Sequence, residues 1–297
     1  MTKQLKSGYV AIIGRPNVGK STLLNAILGQ KISITAHKAQ TTRHKILGIK
    51  TDNHIQAIYL DTPGMHKERK RALNRYMNKA ATSSLLDANV IIFMVEELKW
   101  LDDDELALKN ISKLTCPVIL VVNKVDATKN KNALLPFLEQ LNTKFKFQES
   151  IPISAKNNIN IDKLEQAVAT LLPANPFYFP KEQITDKSER FLVAEIIREK
   201  LTRLLGQEVP HDLTVAIESF TTKRDLIHIG AIIYVERDGQ KAIVIGKAGS
   251  KLKEISTKAR LDIEKLLHKK VFLEVWVKVK PGWSDSERSM QELGYEN

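Results

Sequence analysis

The sequence contains very little that would place it in an oxidising compartment or in a membrane. Cys116 is the one cysteine among 297 residues, so an intramolecular disulfide is excluded and a reducing compartment is favoured. The longest apolar runs, such as residues 90–95, are far too short to span a bilayer. The N-terminus carries lysines but only a brief apolar stretch, so no signal peptide is visible. We therefore expect a cytoplasmic protein.

Positive charge, by contrast, is abundant and is concentrated in two places. The length of 297 residues is typical of about two domains, and the net charge is +12. Residues 1–72 hold thirteen Lys and Arg against three Asp and Glu, and residues 241–280 hold eleven against four. Each of these regions contains one glycine-rich loop. Two basic regions around two such loops indicate two polyanionic ligands.

The N-terminal half alternates short apolar segments with amphipathic ones. After GYVAIIG, segments rich in Ile and Val occur at residues 54–61, 88–95, 116–124 and 149–154. Helical patterns lie near residues 71–86, 103–114, 133–145 and 161–172. This alternation predicts an α/β fold with a mainly parallel sheet that helices cover on both faces. Ligands of such sheets bind at the carboxyl ends of the strands.

The first glycine loop has the form of a phosphate-binding loop. Residues 14–21, GRPNVGKS, match G-x-x-x-x-G-K-[ST] between a predicted strand and a predicted helix. Backbone amides of such a loop wrap the phosphates, Lys20 would reach the β and γ oxygens, and Ser21 would hold Mg²⁺. The next core strand ends in DTPG. Its Asp61 would lie near the metal, acting through a water molecule, and its Gly64 amide would lie near the γ-phosphate.

The segment NKVD, residues 123–126, ends a later strand and indicates which nucleotide base the site would bind. Guanine presents an N1–H and a 2-amino group side by side, and the Asp126 carboxylate can accept from both. Adenine lacks this pair of donors, so the carboxylate would be left unpaired. Lys124 would lie over the ring, Asn123 would brace the pocket, and the Ala155 amide from the segment SAK would meet O6. GTP is therefore favoured over ATP.

The N-terminal half resembles the translation-factor-related GTPases, and KAQTTRHKILGI at residues 38–49 resembles the switch I region of the Era family. By that resemblance Thr42 completes the Mg²⁺ coordination in the GTP state, with Thr41 as the alternative. Ras-like enzymes place a water-orienting glutamine directly after the DxxG glycine, but this chain has Met65, so slow intrinsic hydrolysis is expected. Asn17 resembles the asparagine with which some relatives hold K⁺; its alternative role is to shape the loop.

These motifs predict a nucleotide site of twenty residues, with catalytic and metal-binding roles for some of them. The predicted nucleotide-binding residues are Gly14, Arg15, Pro16, Asn17, Val18, Gly19, Lys20, Ser21, Thr22, Asp61, Thr62, Pro63, Gly64, Asn123, Lys124, Val125, Asp126, Ser154, Ala155 and Lys156. The predicted catalytic residues are Lys20, Thr42, Asp61 and Gly64. The predicted Mg²⁺ residues are Ser21, Thr42 and Asp61, and the K⁺ residue is Asn17.

The alternating pattern stops at residues 173–190, which carry three prolines and predict a linker. We assign a GTPase domain to residues 1–173, the linker to 174–190 and a smaller α+β domain to 191–297. The smaller domain begins with a helical pattern and two strands. The apolar run AIVI, the second glycine loop and a lysine-bearing helix follow, and residues 271–280 alternate as a final strand.

The second glycine loop, I-G-x-x-G, stands between a predicted strand and a predicted helix. It lacks the K-[ST] pair and the acidic strand end of a nucleoside triphosphate site. Its setting resembles the loop with which KH domains clamp the backbone of single-stranded RNA. The predicted RNA-binding residues are Ile245, Gly246, Lys247, Ala248, Gly249, Lys251 and Lys253. Ile245 is equally suited to core packing.

Together with the ending VKVKPGWSDSERSMQELGY, this arrangement is similar to the Era family over essentially the whole chain. The resemblance implies a bacterial-type GTPase that binds the 3′ end of small-subunit ribosomal RNA and assists small-subunit assembly and rRNA maturation. A monomer is expected. We also expect a weak peripheral contact with the inner face of the cell membrane. One alternative is a GTP-controlled docking switch whose KH-like module binds proteins or a membrane surface, although no lipidation motif or amphipathic anchor is visible. Another is an RNA-binding ATPase, which Asp126 opposes.

Replacing Asp126 with asparagine should switch the preferred nucleotide from GTP toward xanthosine triphosphate. The asparagine amide donates a hydrogen bond, and xanthine has a carbonyl where guanine has its 2-amino group. Competition binding of the two nucleotides to Asp126→Asn and to the wild type would measure the switch. Equal GTP affinity in the two proteins would contradict the assignment of Asp126 to the base.

Overall fold

The computed structural model describes residues 4–36, 38, 41–63, 71–206 and 212–295, except the side chain of Ser84. These residues cluster into two units. The first contains the described parts of Met1–Ser33, Thr42–Met65 and Met77–Asp186, and the second those of Ile34–Thr41, His66–Tyr76 and Lys187–Asn297. The predicted limits of the domains and of the linker stay a prediction.

The N-terminal half of the chain forms a six-stranded sheet with helices between its strands. The strands are β1 (Lys6–Ile13), β2 (Ile46–Asp52), β3 (Ile55–Asp61), β4 (Val90–Glu96), β5 (Val118–Asn123) and β6 (Glu149–Pro152). The helices are α1 (Lys20–Leu28), α2 (Ala72–Leu86), α3 (Asp102–Ile111), α4 (Leu134–Lys144) and α5 (Ile161–Leu171). The strand order is β2-β3-β1-β4-β5-β6, with β2 antiparallel to β3 and every other neighbouring pair parallel.

The central strands are apolar along their length because both faces of the sheet are buried. Every residue from Val90 to Val95 on β4, and from Ile119 to Val122 on β5, has no exposed surface. Continuous apolar runs of this kind are typical of parallel strands covered on both sides. The predicted parallel sheet is therefore confirmed. The sequence reasoning missed β2, since this edge strand is only partly buried and its first residues overlap the stretch assigned to switch I.

Part of the predicted linker is hydrogen-bonded to the sheet of the first unit. The side chain of Gln56 accepts from the backbone N–H groups of Tyr178 and Phe179, at 2.9 and 3.0 Å, and donates to the Phe179 carbonyl at 2.8 Å. The Ile49 amide of β2 donates to the Ile184 carbonyl at 2.8 Å. We call residues 175–186 the edge strap, because they bind the edge strand β2 and its neighbour β3.

The second unit contains a three-stranded sheet with helices on one side. Its elements are α6 (Glu189–Leu204), β7 (Leu213–Lys223), β8 (Leu226–Val235), α7 (Asp238–Ile245), α8 (Ser250–Leu267), β9 (Lys270–Val279) and α9 (Glu287–Glu292). The strand order is β7-β8-β9, antiparallel and then parallel. Ile197 of α6 and Ile255 of α8 are fully buried in its core. The alternation predicted for the last strand is confirmed, with Val277 9% and Trp276 45% exposed.

The second glycine loop joins two helices, so the strand that we predicted before it is wrong. Residues 238–245 form α7, and the loop leads directly into α8. Four apolar residues in a row do not distinguish a short buried strand from a helix. Within α7 only Val244 is buried, and Ile243 is 52% exposed. The helix therefore covers the core with one side, while its other side stays in water.

The last residues of the chain fold back onto the second unit. The Trp283 side chain has no exposed surface, and its indole N–H donates to the Asp212 carbonyl at 3.2 Å. The ring of Tyr295 lies 5.8 Å from that of Trp283, and its hydroxyl is 3.1 Å from the Thr214 hydroxyl. The ending of the sequence therefore contributes to the folded core.

Replacing Trp283 with alanine should lower the free energy of unfolding by about 3–5 kcal/mol, since a large buried aromatic leaves a cavity. Trp276→Ala is the matched control, because Trp276 is 45% exposed and its removal should change stability by roughly 0.5 kcal/mol or less. Urea unfolding of the full chain, followed by circular dichroism, would compare them. Similar unfolding midpoints for the two variants would show that the ending is not part of the core.

Candidate functional site

The predicted nucleotide-site residues that the structure describes gather at the carboxyl end of the parallel strands in the first unit. Residues 14–22 join β1 to α1, residues 61–63 end or follow β3, residues 123–126 end or follow β5, and residues 154–156 come after β6. Gly64 lies outside the described residues. Four sequence segments far apart in the chain therefore meet at the carboxyl ends of the strands, where open α/β folds bind ligands.

Lys20 begins α1 and turns its ammonium group back toward the phosphate-binding loop. Its Nζ donates to the carbonyls of Gly14 and Arg15, at 2.8 and 3.0 Å. Burial lowers the pKa of Lys20 to about 8, and the nearby Asp61 carboxylate opposes that shift. An anionic phosphate beside Lys20 would raise this pKa again, so the buried ammonium is suited to an anionic ligand.

Asn123 joins the phosphate-binding loop to the segment after β6. Its amide nitrogen donates to the Val18 carbonyl at 2.8 Å, and its amide oxygen accepts from the Ala155 backbone at 3.0 Å. Gly19 passes so close that a Cβ atom there would lie 2.4 Å from the Asn123 amide nitrogen, and its φ of +104° also favours glycine. Asn123 therefore braces the pocket. In this structure the Ala155 amide is directed to Asn123, although we predicted that it would meet the base.

Asp126 lies three residues after Asn123, in the segment that follows β5. Its Oδ1 accepts from the Ser154 hydroxyl at 2.5 Å, while the residue as a whole is exposed. Lys124 donates to the Asn17 carbonyl at 2.9 Å, which ties the base-binding segment to the phosphate-binding loop. An exposed carboxylate held in place by a serine can accept two donors from a base edge.

Hydroxyl and carboxylate oxygens converge next to Lys20. The Ser21 hydroxyl donates to Asp61 Oδ2 at 2.7 Å and lies 2.8 Å from the Thr42 hydroxyl. The Ser33 hydroxyl donates to the same Asp61 oxygen at 2.7 Å. The three predicted Mg²⁺ residues are therefore brought together. Ser33 was not predicted, because a single serine in a loop carries no motif.

The oxygens of this cluster fit a magnesium ion. Asp61 has no exposed surface, and burial raises the pKa of its carboxyl, which the serine hydroxyls and Lys20 oppose. Its Oδ1 is buried and has no hydrogen-bond partner within the part of the chain that the structure describes. A buried carboxylate oxygen without a donor, beside two hydroxyls, is the kind of hard oxygen site that Mg²⁺ or a water bound to it would satisfy.

The structure also separates the two candidate switch threonines. The Thr41 hydroxyl donates to the Lys38 carbonyl at 2.6 Å, within its own turn of the chain. The Thr42 hydroxyl is the one beside Ser21. The geometry therefore favours Thr42 as the metal-binding threonine.

Two acidic residues that the sequence reasoning missed form ion pairs with Arg15 of the phosphate-binding loop. Arg15 pairs with Glu96 at 2.7 Å and with Asp104 at 3.2 Å, and Glu96 also pairs with Lys124. Burial would raise the pKa of Glu96, but Lys124 and Arg15 together lower it below its ordinary value. Glu96 is the last residue of β4, so its position at a strand end was the available signal. Asp104 lies in the first turn of α3, where an acid is usually a helix-dipole stabiliser.

The second glycine loop has a backbone that glycine permits and most other residues resist. Gly246 has a φ of +71°, and a Cβ there would lie 2.6 Å from that of Lys251. Gly249 has a φ of +76° with open space where a Cβ would stand, and Ala248 between them is also left-handed at +49°. Because α8 starts directly after this loop, its first amides and the positive end of its dipole lie at the loop.

The side chains around this loop differ in their exposure to water and in their hydrogen bonds. Lys247, Ala248 and Lys253 are exposed, whereas Lys251 donates to Glu254 at 3.0 Å. Ile245 is half-buried and packs against the core of the second unit, which favours its structural role. The loop therefore presents glycine backbone and lysine charge to water.

The described ranges contain neither a cluster of metal-binding side chains of this kind nor a helix that could span a membrane. No group of three or more His, Cys, Asp and Glu side chains is arranged to bind a metal ion there. Within the same ranges, every helix is too short or too polar to cross a bilayer.

Two family models match this chain. Residues 9–124 match the model described as 50S ribosome-binding GTPase, and residues 208–284 match the KH domain model. The protein named GTPase Era from Marinobacter nauticus is 54% identical over 289 residues, covering 97% of this chain and 95% of the relative. GTPase Era from Coxiella burnetii is 55% identical, covering 97% of this chain and 98% of the relative.

Solved structures agree with these matches. Era in complex with MgGDPNP and nucleotides 1506–1542 of 16S ribosomal RNA is 40% identical, with a TM-score of 0.93 over 99% of this chain and 100% of that one. A variant of Aquifex aeolicus Era bound to GDP·AlF4⁻ is 39% identical, with a TM-score of 0.94 and the same coverage. Since such identity extends over nearly the whole length of both chains, this protein belongs to the Era family of GTPases.

Proposed function

We propose that this protein hydrolyses GTP to GDP and phosphate, binds the 3′ end of small-subunit ribosomal RNA, and assists small-subunit assembly and rRNA maturation. The observation that carries the proposal is that Lys20, Ser21 and Asp61 lie at the same ends of the parallel strands as Asn123 and Asp126. The same chain holds a GxxG loop between two helices. The first arrangement is suited to a guanine nucleotide, and the second to an RNA backbone.

In the nucleotide site, phosphate oxygens would take the place of the Gly14 and Arg15 carbonyls as acceptors for Lys20. Ser21, Thr42 and, through a water molecule, Asp61 would hold Mg²⁺, which neutralises charge on the β- and γ-phosphates when it is bound. The Asp126 carboxylate would accept from the guanine edge. Catalysis in this arrangement rests on positioning and on charge stabilisation, since the chain needs no covalent intermediate.

Intrinsic hydrolysis should be slow. Met65 stands where Ras-like enzymes place the glutamine that orients water, and a thioether cannot do so. Water would have to be positioned by backbone groups, by a cation or by a binding partner.

A potassium ion at Asn17 is part of the proposal. Asn17 is an exposed loop residue with a φ of +69°, and its carbonyl is fixed by Lys124. A cation there would offset the charge of the phosphates. Replacing K⁺ with Na⁺ at constant ionic strength should slow hydrolysis; an unchanged rate would leave Asn17 with loop shaping alone.

At the RNA site, Gly246, Lys247, Ala248 and Gly249 would approach a phosphate of the backbone, with Lys251 and Lys253 adding positive charge. The related Era structure that contains nucleotides 1506–1542 of 16S ribosomal RNA supports the same class of partner for this chain. The proposed location is the cytoplasm and the proposed assembly state is a monomer. A weak peripheral contact with the inner face of the cell membrane is a further part of the proposal.

The two activities should be separable by one substitution in each loop. Lys20→Ala should weaken nucleotide binding and hydrolysis while RNA affinity is unchanged. Gly249→Asp places a negative charge where the RNA phosphate would lie, at a backbone position that Asp tolerates, and should abolish RNA binding while GTP affinity is unchanged. Filter binding with a 3′-end small-subunit rRNA oligonucleotide, together with a phosphate-release assay, would measure both.

Gly249→Asn is the matched control, because asparagine has nearly the same shape as aspartate but no charge. It should lose much less RNA affinity than Gly249→Asp. Full RNA affinity in a folded Gly249→Asp variant would mean that the loop is only a turn. Binding of proteins but of no RNA by the wild type would favour the protein-docking alternative.

A further inference from the structure

The described residues of the range 34–41 cluster with the second unit, although Ser33 and Thr42 on either side of them belong to the first. We call residues 34–41 the switch segment. Two of its described residues, Thr35 and Thr41, are hydrogen-bonded to α6 of the second unit. A third, Lys38, is hydrogen-bonded to the two residues directly after this helix. These contacts involve charged side chains that neither the nucleotide site nor the RNA loop uses.

The amide, the carbonyl and the hydroxyl of Thr35 all form hydrogen bonds with side chains of α6. Its amide donates to the Glu199 carboxylate at 3.1 Å, its carbonyl accepts from Arg203 Nε at 2.8 Å, and its hydroxyl accepts from Arg203 Nη2 at 2.7 Å. Glu199 has no exposed surface and pairs with Arg203 at 2.9 Å. Two side chains one helical turn apart therefore fix both the backbone and the side chain of Thr35.

The other end of the switch segment is held in the same way. Arg198 donates to the Thr41 carbonyl and is itself fixed by Glu195, which accepts from Nε and Nη2 at 2.7 Å each. Between these ends, the Lys38 ammonium donates to the carbonyls of Leu205 and Gly206, at 2.5 and 3.0 Å. We call Arg198, Glu199 and Arg203 the α6 clamp.

The α6 clamp lies on a separate side of the helix from the hydrophobic core. Val193, Ile197 and Leu201 recur at helical spacing and are buried in the core of the second unit. The charged residues at 195, 198, 199 and 203 recur at the same spacing on another side. Buried ion pairs contribute little net stability compared with apolar residues of similar volume, so stability alone does not explain this side of α6.

Both residues that border the switch segment take part in the oxygen cluster of the first unit. Ser33 donates to Asp61, and the Thr42 hydroxyl lies 2.8 Å from that of Ser21. The peptide bond between Thr41 and Thr42 therefore separates a carbonyl held by Arg198 from a hydroxyl held at the cluster. Fixing the carbonyl restricts where the next side chain can reach.

We propose that Arg198, Glu199 and Arg203 are positioning residues for the GTP state, which hold the switch segment so that Thr42 is presented to the metal. This inference rests on the proposed function. A loop that is ordered before the ligand arrives loses less conformational entropy on binding. GTP gains from this order because its γ-phosphate and metal use Thr42, whereas GDP has no γ-phosphate and does not.

The test is Arg203→Gln, since Arg203 is 47% exposed and is not needed to fill the core. Its control is Arg260→Gln on α8, where an arginine with 38% of its side chain exposed makes an i,i+4 pair with Glu264 at 2.9 Å. Affinities for GDP and for a non-hydrolysable GTP analogue would be measured at saturating Mg²⁺. Half-saturation by Mg²⁺ in the presence of the analogue would be measured as well.

Arg203→Gln should weaken binding of the GTP analogue by roughly fivefold or more, the lower end of typical coupling between sites, with GDP affinity unchanged. The Mg²⁺ concentration for half-saturation should rise in the same variant, and Arg260→Gln should match the wild type. Thr35→Val keeps the shape of Thr35 but removes its hydroxyl, so it should shift the ratio in the same direction. Combined with Arg203→Gln, it should add little.

An unchanged ratio of analogue to GDP affinity in both variants would overturn the role of the α6 clamp. An equal loss of both affinities would overturn it too, because it would indicate general damage to the site. If the wild type itself failed to bind the GTP analogue, that result would contradict the proposed function rather than the role of the α6 clamp alone.

Discussion

A carboxylate buried at the end of an apolar strand is the constraint around which the nucleotide site is organised. Asp61 ends β3 with no exposed surface, and an ionised group in that position is costly unless other groups satisfy it. The hydroxyls of Ser21 and Ser33 and the ammonium of Lys20 do so in part. They come from α1 and from the chain that follows it, so satisfying one carboxylate draws two segments to the end of the sheet. The Oδ1 atom of Asp61 has no hydrogen-bond partner among the described residues.

The same chemistry serves two different loops in this chain. In each, glycine would allow backbone amides at the start of a helix to approach an anion closely. They differ in their lysines: Lys20 is buried with a pKa lowered to about 8, whereas Lys247 and Lys253 are exposed. A buried lysine can enforce one geometry on a small ligand. Exposed lysines add attraction without a fixed geometry, which suits a polymer whose phosphates recur along its length.

Much of the site could be predicted because its motifs are short and stand at strand ends, where the fold brings them together whatever surrounds them. Glu96 and Asp104 were not predicted, since a strand end and the first turn of a helix are weak signals until the fold places both acids beside Arg15. The strand β2 and the helix α7 were missed or misassigned for a local reason. A half-exposed edge strand lacks a clear period, and four apolar residues are too few to show one. The contacts of α6 with residues 34–41 join positions more than 150 residues apart, beyond the reach of any local pattern.

The edge strap has a consequence for how the chain can be divided. A fragment that stopped at residue 173 would remove the partners of Gln56 and of the Ile49 amide. It would leave β2 as an open strand edge with unpaired backbone groups, and such edges recruit other strands. The GTPase half should therefore associate with itself when it is truncated there, and should stay monomeric when it extends through Asp186.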